Sequence, residues 1–300
     1  MANPTFDPTT VSAWTNENTD AIAEAILNTD DLAHVAVVTG ESAGSRAINV
    51  FNGDYADDAR SCDFATTNDF TFSQVDVTIE DRQIKQKLCI TDARAYWLAA
   101  RMNASAHTED FPFADALAEY LLNGVKKNIS DFIGSELRTQ VIPEVTPGDG
   151  NAKLQGGTLE VLAVGNALEQ LNNLYDALDE RSKMRDDVKI WLSPAHYRTA
   201  VRAIVAQNGA GFFHYNVEDG QGKILLPGTN VELVKSSGFV GEDTIICGPS
   251  AYAVFVTGLM DDMDKVSMFY DQGEDIIKMA AYYRRGLGVY STDQWSTNGL

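Results

Sequence analysis

The sharpest catalytic pattern in the sequence is Gly40-Glu-Ser42-Ala-Gly44, a match to the Gly-x-Ser-x-Gly turn that presents a nucleophilic serine in α/β hydrolases. That chemistry needs a strand-to-helix turn, an oxyanion donor from an earlier strand loop, and a later Asp and His. The residues after Ser42, Arg46-Ala-Ile-Asn-Val-Phe, read as strand instead, and those before it are too few to hold the earlier strands. The small residues are read as a bend in an extended region, with a serine hydrolase built on Ser42 kept as an alternative. His34, His107, His196 and His214 are isolated and lack the His-x-x-x-His spacing that binds zinc from one helix face. Asp261, Asp262 and Asp264 cluster without the glycine and distal glutamate of a calcium loop, so they read as solvated acids, with weak divalent-cation binding as the alternative. No phosphate loop is found, and Gly286-Leu-Gly288 is too short for a dinucleotide fingerprint. The compact basic pairs, Lys126-Lys127 and Arg284-Arg285, read as a face for an acidic neighbour.

The chain's 43 Asp+Glu against 23 Lys+Arg give a net charge of −20 over 300 residues. Such a surface is wrong for sequence-independent nucleic-acid binding, whose affinity comes from neutralising phosphates, and equally for an anionic membrane. Cys62, Cys89 and Cys247 are odd in number and widely spaced, which supports neither a disulfide framework nor a structural zinc site. The start lacks the basic and apolar regions of a signal peptide, and a cytosolic product is expected. Catalysis is not where these residues point.

The elements that position them begin with a polar stretch, 1–33, holding one short amphipathic helix at 20–27. From 34 to 90 the pattern is extended, with strands at 34–38, 46–51, 76–79 and 84–90 around an acidic middle, Asn52-Gly-Asp-Tyr-Ala-Asp-Asp. It reads as a two-stranded β arm, which is marginal alone and implies a neighbour. A short helix at 91–102 follows, then a long one in which Phe113, Leu117, Tyr120, Leu121, Val125, Ile129, Phe132, Ile133 and Leu137 form one stripe until Pro143. A Gly/Pro-rich break at 146–157 precedes a third helix striped by Val161, Val164, Leu168, Leu171, Tyr175 and Leu178. The strand Val188-Lys-Ile-Trp-Leu leads through Ser193-Pro194 into a helix expected to end at Asn208-Gly209. Strands are expected at 222–226, 231–235, 244–247, 266–270 and 275–283, with a helix or turn at 249–256.

The order of these segments resembles the major capsid proteins of tailed bacteriophages, the Hong Kong 97-type shell fold. Val188-Lys-Ile-Trp-Leu-Ser-Pro-Ala-His-Tyr looks like that family's strand and Ser-Pro-opened helix. Leu226-Pro-Gly-Thr-Asn-Val231, Thr244-Ile-Ile-Cys-Gly-Pro249 and Ile277-Lys-Met-Ala-Ala-Tyr-Tyr-Arg-Arg-Gly286 resemble its later strands and closing step. The resemblance implies an α+β fold with an N-terminal arm (1–33), an extended β-hairpin E-loop (34–90), a peripheral domain with a long spine helix (91–157 and 258–300) and an axial domain (158–257).

It implies a structural protein forming pentamers and hexamers of an icosahedral head around double-stranded DNA, bound without sequence specificity. No catalytic residue, cofactor or metal is implied; an encapsulin-type nanocompartment shell is the nearest alternative. The implied partners are copies of itself, a separate scaffolding protein, a portal protein and decoration proteins. The location is the virion, after assembly in the host bacterial cytoplasm, with no membrane. A helical scaffolding segment does not fit in 1–33, and Met1 fits an uncleaved end. Some family members crosslink through a lysine in the extended arm; the first lysine here is Lys85, at the arm's base, so no such bond is expected. Asp54, Asp57 and Asp58 at the loop tip need cationic partners on a neighbouring subunit, for which Arg284, Arg285, Lys126 and Lys127 are the candidates.

Overall fold

A computed structural model describes residues 30–39, 44–53, 70–89, 113–144, 162–216, 223–257, 266–271, 273–274, 276–291 and 294–298. The expected helices at 20–27 and 91–102, Ser42, Asp54, Asp57, Asp58, Cys62, His107 and the cluster Asp261, Asp262 and Asp264 lie outside them.

The long helix, α1 (Phe113–Glu144), has 32 residues and spans about 48 Å. Its buried face is Leu121, Val125, Ile129, Ile133, Leu137 and Val141. These recur every fourth residue, and each step of four advances about 40° around a 3.6-residue helix. The stripe therefore winds roughly 200° from one end to the other, and α1 can pack on more than one partner. Tyr120, expected in the stripe, is 63% exposed because that winding carries the core away from it. Pro143 lies inside the last turn, one residue before the end.

One partner is a six-stranded sheet ordered β1-β8-β10-β3-β2, with β9 also on β10. These strands are β1 (Ala36–Thr39), β2 (Gly44–Gly53), β3 (Phe70–Cys89), β8 (Ala253–Thr257), β9 (Val266–Asp271) and β10 (Ile276–Val289). The two runs expected at 76–79 and 84–90 are one 20-residue strand, β3. Its inner half pairs with β10, Glu80 opposite Arg285 through Cys89 opposite Ile276. Its outer half pairs with β2, Ile79 opposite Gly44 through Phe70 opposite Gly53. That outer half is the expected hairpin arm; β1 is not part of it and instead pairs in parallel with β8. At the arm's root Val77 and Ile79 alternate inward onto Val254 and Val256. β8, expected as helix or turn, is buried at every position, so it shows none of the alternation that marks a half-exposed strand. β10 runs on past the expected 283 to Val289. Gln140 of α1 clamps its end by donating to Leu287 O (2.7 Å) and accepting from Val289 N (2.8 Å).

The other partner is a five-stranded sheet ordered β11-β7-β4-β6-β5. It comprises β4 (Val188–Leu192), β5 (Ile224–Leu225), β6 (Glu232–Lys235), β7 (Ile246–Pro249) and β11 (Ser296–Thr297). Strand alternation sends Ile190 and Leu192 toward α2 (Ala167–Asp176) and α4 (Pro194–Asn216), and Trp191 toward α1. The Trp191 ring meets that of Trp295 at 5.4 Å between centroids. α2 starts later than its expected stripe, at the cap residue Asn166, whose Oδ1 accepts from Ala163 N (2.8 Å), and this leaves Val164 exposed. A single turn, α3 (Glu180–Lys183), follows. α4 opens at Ser193-Pro194 as expected, with Ser193 Oγ accepting from His196 N (3.2 Å). It does not end at Asn208-Gly209 but continues to Asn216; a helix tolerates an interior glycine at about 1 kcal/mol. Two segments depart from the expected partition: β8, the end of 158–257, lies in the six-stranded sheet, and β11, from 258–300, pairs with β7 in the other.

Candidate functional site

α1 joins the two sheets, and the polar residues that matter gather along that joint. On its N-terminal side the turn Asp30–His34 buries Leu32 in the same core as α1. Asp31 accepts from Ser236 Oγ (3.3 Å), while the Lys189 ammonium lies 2.9 Å from His34 Nδ1 and 3.4 Å from Glu232. Arg185 grips Asp187 with two hydrogen bonds (2.8 and 2.9 Å), donates to the Tyr252 hydroxyl (3.0 Å) and stacks over the Tyr252 ring at 4.5 Å. The Arg185 guanidinium and the Ala251 amide hold the Asp187 carboxyl below the usual carboxylate range, despite an opposing push from burial.

Past the middle of α1 the joint is made by backbone alone. A β-carbon on Gly134 would lie 2.7 Å from Gly238 Cα, and one on Gly238 would lie 2.6 Å from Gly134 Cα. Two glycines are the only residue types that allow helix and turn to approach this closely. Ser236 Oγ, which accepts from Gly238 N (3.3 Å), and Phe239, fully buried, hold the turn Ser237–Phe239 there.

Beside this contact, α1, β3, β10 and the turn enclose an open groove of about 800 Å³. Three cations line it, Arg82, Lys127 and Arg285, with Asp131 the one acid among its lining residues. Arg285 lies over the Phe132 ring at 4.1 Å and donates from Nη1 to Asn128 O (3.2 Å). Burial lowers its pKa from the ordinary arginine value, against partial support from Tyr283, Glu80 and Glu136. Its Nε and the Ser237 hydroxyl are buried without a hydrogen-bond partner among the described residues. An unsatisfied buried donor costs about 1–3 kcal/mol, so this groove is unfinished within one chain.

The expected cationic residues thus separate. Arg285 and Lys127 meet in the groove, while Lys126 is half-buried on α1 and does not line it. Arg284, 7% exposed at its side chain, points to the opposite face of β10 and binds Asp81 at 2.8 Å, because neighbours on a strand alternate faces. It is a fastener within the chain, not a partner for a neighbour's acids as expected. Sequence reasoning missed Arg82, Ser237 and Gly238; the available signal was Gly134, a costly residue inside a long apolar helix.

The other candidates resolve differently. After Gly44 comes strand β2, not the helix a nucleophile turn requires. Gly286 and Gly288 lie where β10 crosses β3: a β-carbon on Gly286 would sit 2.7 Å from Thr78 O, and one on Gly288 would strike Val77. His196 is buried with Nε2 3.3 Å from Asp243. Burial pushes the Cys247 thiol up to about 12, while Cys89 is exposed. Among the described residues no group of His, Cys, Asp and Glu is placed to hold a metal ion.

No family model and no curated protein matches the sequence. Solved structures do match. A chain of the satellite phage P4 procapsid, a structure that includes the size determination (Sid) protein, aligns over 99% of this chain and 91% of its own, with TM-score 0.58 and 13% identity. A chain from the capsid of an empty GTA particle aligns over 90% and 88%, with TM-score 0.54 and 12% identity. A chain of the bacteriophage PhiM1 mature capsid aligns over 88% and 84%, with TM-score 0.51 and 10% identity. From the N-terminal turn through the arm, the long helix and both sheets, this chain has the Hong Kong 97-type fold of phage capsid subunits.

Proposed function

We propose that the chain is the major capsid subunit of a tailed phage, assembling as pentamers and hexamers into an icosahedral head around double-stranded DNA. The arm carries this reading. Ten residue pairs of β2 and β3 run outward from the sheet, and no third strand joins them among the described residues. A two-stranded ribbon is marginal in water, and a neighbouring copy beneath it supplies the surface it lacks. The role is structural: the acidic balance repels packaged DNA, so a genome can enter and leave without adhering. Scaffolding, portal and decoration proteins are the further partners, and the virion is the destination. The four parts drawn at 1–33, 34–90, 91–157 with 258–300, and 158–257 serve as arm, E-loop, peripheral and axial domains, with β8 and β11 exchanged between the last two.

Electron microscopy of the full chain, expressed alone and with a scaffolding partner, tests this. Capsomers, shells or aberrant polymers are expected. A chain that stays monomeric at high concentration in both preparations overturns the proposal.

A further inference from the structure

The groove between α1, β3, β10 and the turn Ser237–Phe239 is cationic on a chain of net charge −20. Its two orphaned donors come from different sheets: Arg285 from the strand β10, Ser237 from the turn that follows β6. Arg285 is held by the Phe132 ring and the Asn128 carbonyl, so its guanidinium cannot swing out to solvent without giving up both. The groove therefore calls for an anionic acceptor brought from outside. Val240, 65% exposed, adds an apolar lip, which suits a peptide segment better than a free ion.

One segment of this chain has that chemistry. Residues 54–69 carry Asp54, Asp57, Asp58, Asp63 and Asp69 against Arg60 alone, interleaved with Tyr55 and Phe64. The same chain cannot place it in its own groove. The segment is tied at both ends, to Gly53 and Phe70, which face each other at the end of the arm. A 16-residue loop so tied reaches at most about 29 Å. Arg82, on the groove wall, lies 12 residues further along β3, about 40 Å from Phe70. The occupant must come from a second copy.

We propose that this groove seats the 54–69 segment of a second copy of this chain, with a carboxylate of Asp54, Asp57 or Asp58 accepting from Arg285 Nε and Ser237 Oγ beside Lys127. The inference rests on the shell-subunit reading and deepens it. Because the two donors belong to different sheets, the incoming carboxylate bridges the joint between them, so docking a neighbour also stiffens the subunit that receives it.

Charge exchange in the full chain tests the pairing. Lys127→Glu with Arg285→Glu, and separately Asp57→Lys with Asp58→Lys, should each raise the concentration needed for assembly at least tenfold in sedimentation velocity. The four changes together should recover assembly to within about threefold of the parent, a tenfold effect being the scale of one well-made charged contact. Doubles that assemble like the parent, or a quadruple variant no better than either double, overturn the pairing. A second readout does not depend on the fold tolerating Arg285→Glu. In a Cys62→Ser background, Ala59→Cys and Val240→Cys together should give disulfide-linked multimers on mild oxidation, because bridging requires α-carbons within about 7 Å. Parent assemblies that form without such links overturn this inference alone; a parent that never assembles overturns the shell reading with it.

Discussion

Gly134→Ala and Gly124→Ala make the same chemical change in one helix and should act in opposite directions. In an exposed helix interior, alanine is favoured over glycine by about 0.8–1.0 kcal/mol. A β-carbon on Gly124 meets nothing within 4 Å, so that variant should be stabilised by nearly the whole amount. On Gly134 the same methyl would lie 2.7 Å from both Gly238 Cα and Ser236 Oγ, where carbon contacts settle at about 3.5–4.0 Å. Relief requires the turn to retreat by about 1 Å, and the turn is held: Phe239 is buried and Ser236 Oγ donates to Asp31 while accepting from Gly238 N. Overpacking of this kind costs about 1–3 kcal/mol, and backbone as the obstacle places it in the upper half of that range. The net expectation is a loss of about 1–2 kcal/mol for Gly134→Ala, hence a separation of about 2–3 kcal/mol between the two variants. Urea unfolding of the unassembled chain, followed by far-UV circular dichroism and tryptophan fluorescence, should move the Gly124→Ala midpoint up and the Gly134→Ala midpoint down. Gly238→Ala should copy Gly134→Ala, and the two together should cost less than their sum, since one retreat of the turn relieves both. Equal midpoints for Gly124→Ala and Gly134→Ala would refute the backbone-to-backbone contact, and with it the account of how α1 joins the two sheets.

Two further outcomes follow from the joint and the arm. Asp187→Asn should lower stability by about 1 kcal/mol at pH 7, allowing for the pair's partial exposure. Because the folded carboxyl sits below its unfolded value of about 3.9, its contribution is complete above about pH 4 and is lost as pH falls through the folded value, so acid unfolding of parent and variant should converge; curves that stay parallel down to pH 2 would contradict this. Mature particles should run as monomers on denaturing gels: Lys85, the first lysine in the sequence, stands opposite Ala280 at the arm's base, with its Nζ 6.0 Å from the Tyr282 ring. Ladders above the monomer would show that a side chain other than an arm-tip amine forms a covalent bond.

What could be read from the sequence is what local periodicity encodes. α1 was legible because its apolar residues recur through eight turns, and α4 because Ser193-Pro194 starts a helix by local hydrogen bonding alone. β8 was not, since a strand buried on both faces carries no alternation. β3 was read as two strands because Glu80-Asp-Arg-Gln83 is exposed, and it is held extended by pairing with β10, nearly two hundred residues away. The groove was half legible. Lys127 and Arg285 stood out as charges, but that Arg284 turns to Asp81 while Arg285 turns to Phe132 depends on the face each side of β10 presents. Ser237 carried no signal, because its unmet hydroxyl exists only once the turn is pinned against Gly134.

The winding of the α1 stripe links these observations. A stripe that stayed on one side would bind one sheet and leave the other to move. With about 200° of drift, the same helix packs on β10 and on the turn after β6, so both sheets are attached to one rigid rod. The arm then acts as a lever about 33 Å long beyond the last sheet pair, and any load on it passes down β3 into β10. β10 is the strand best placed to carry that load: it pairs with β3, β8 and β9, and Gln140 of α1 clamps its end. The weak part of such a device is the joint between the sheets, where helix and turn touch through two glycines that offer no side-chain contact of their own. Two unsatisfied donors at that same joint place the stabilising contact of an incoming subunit where the isolated subunit is least secured.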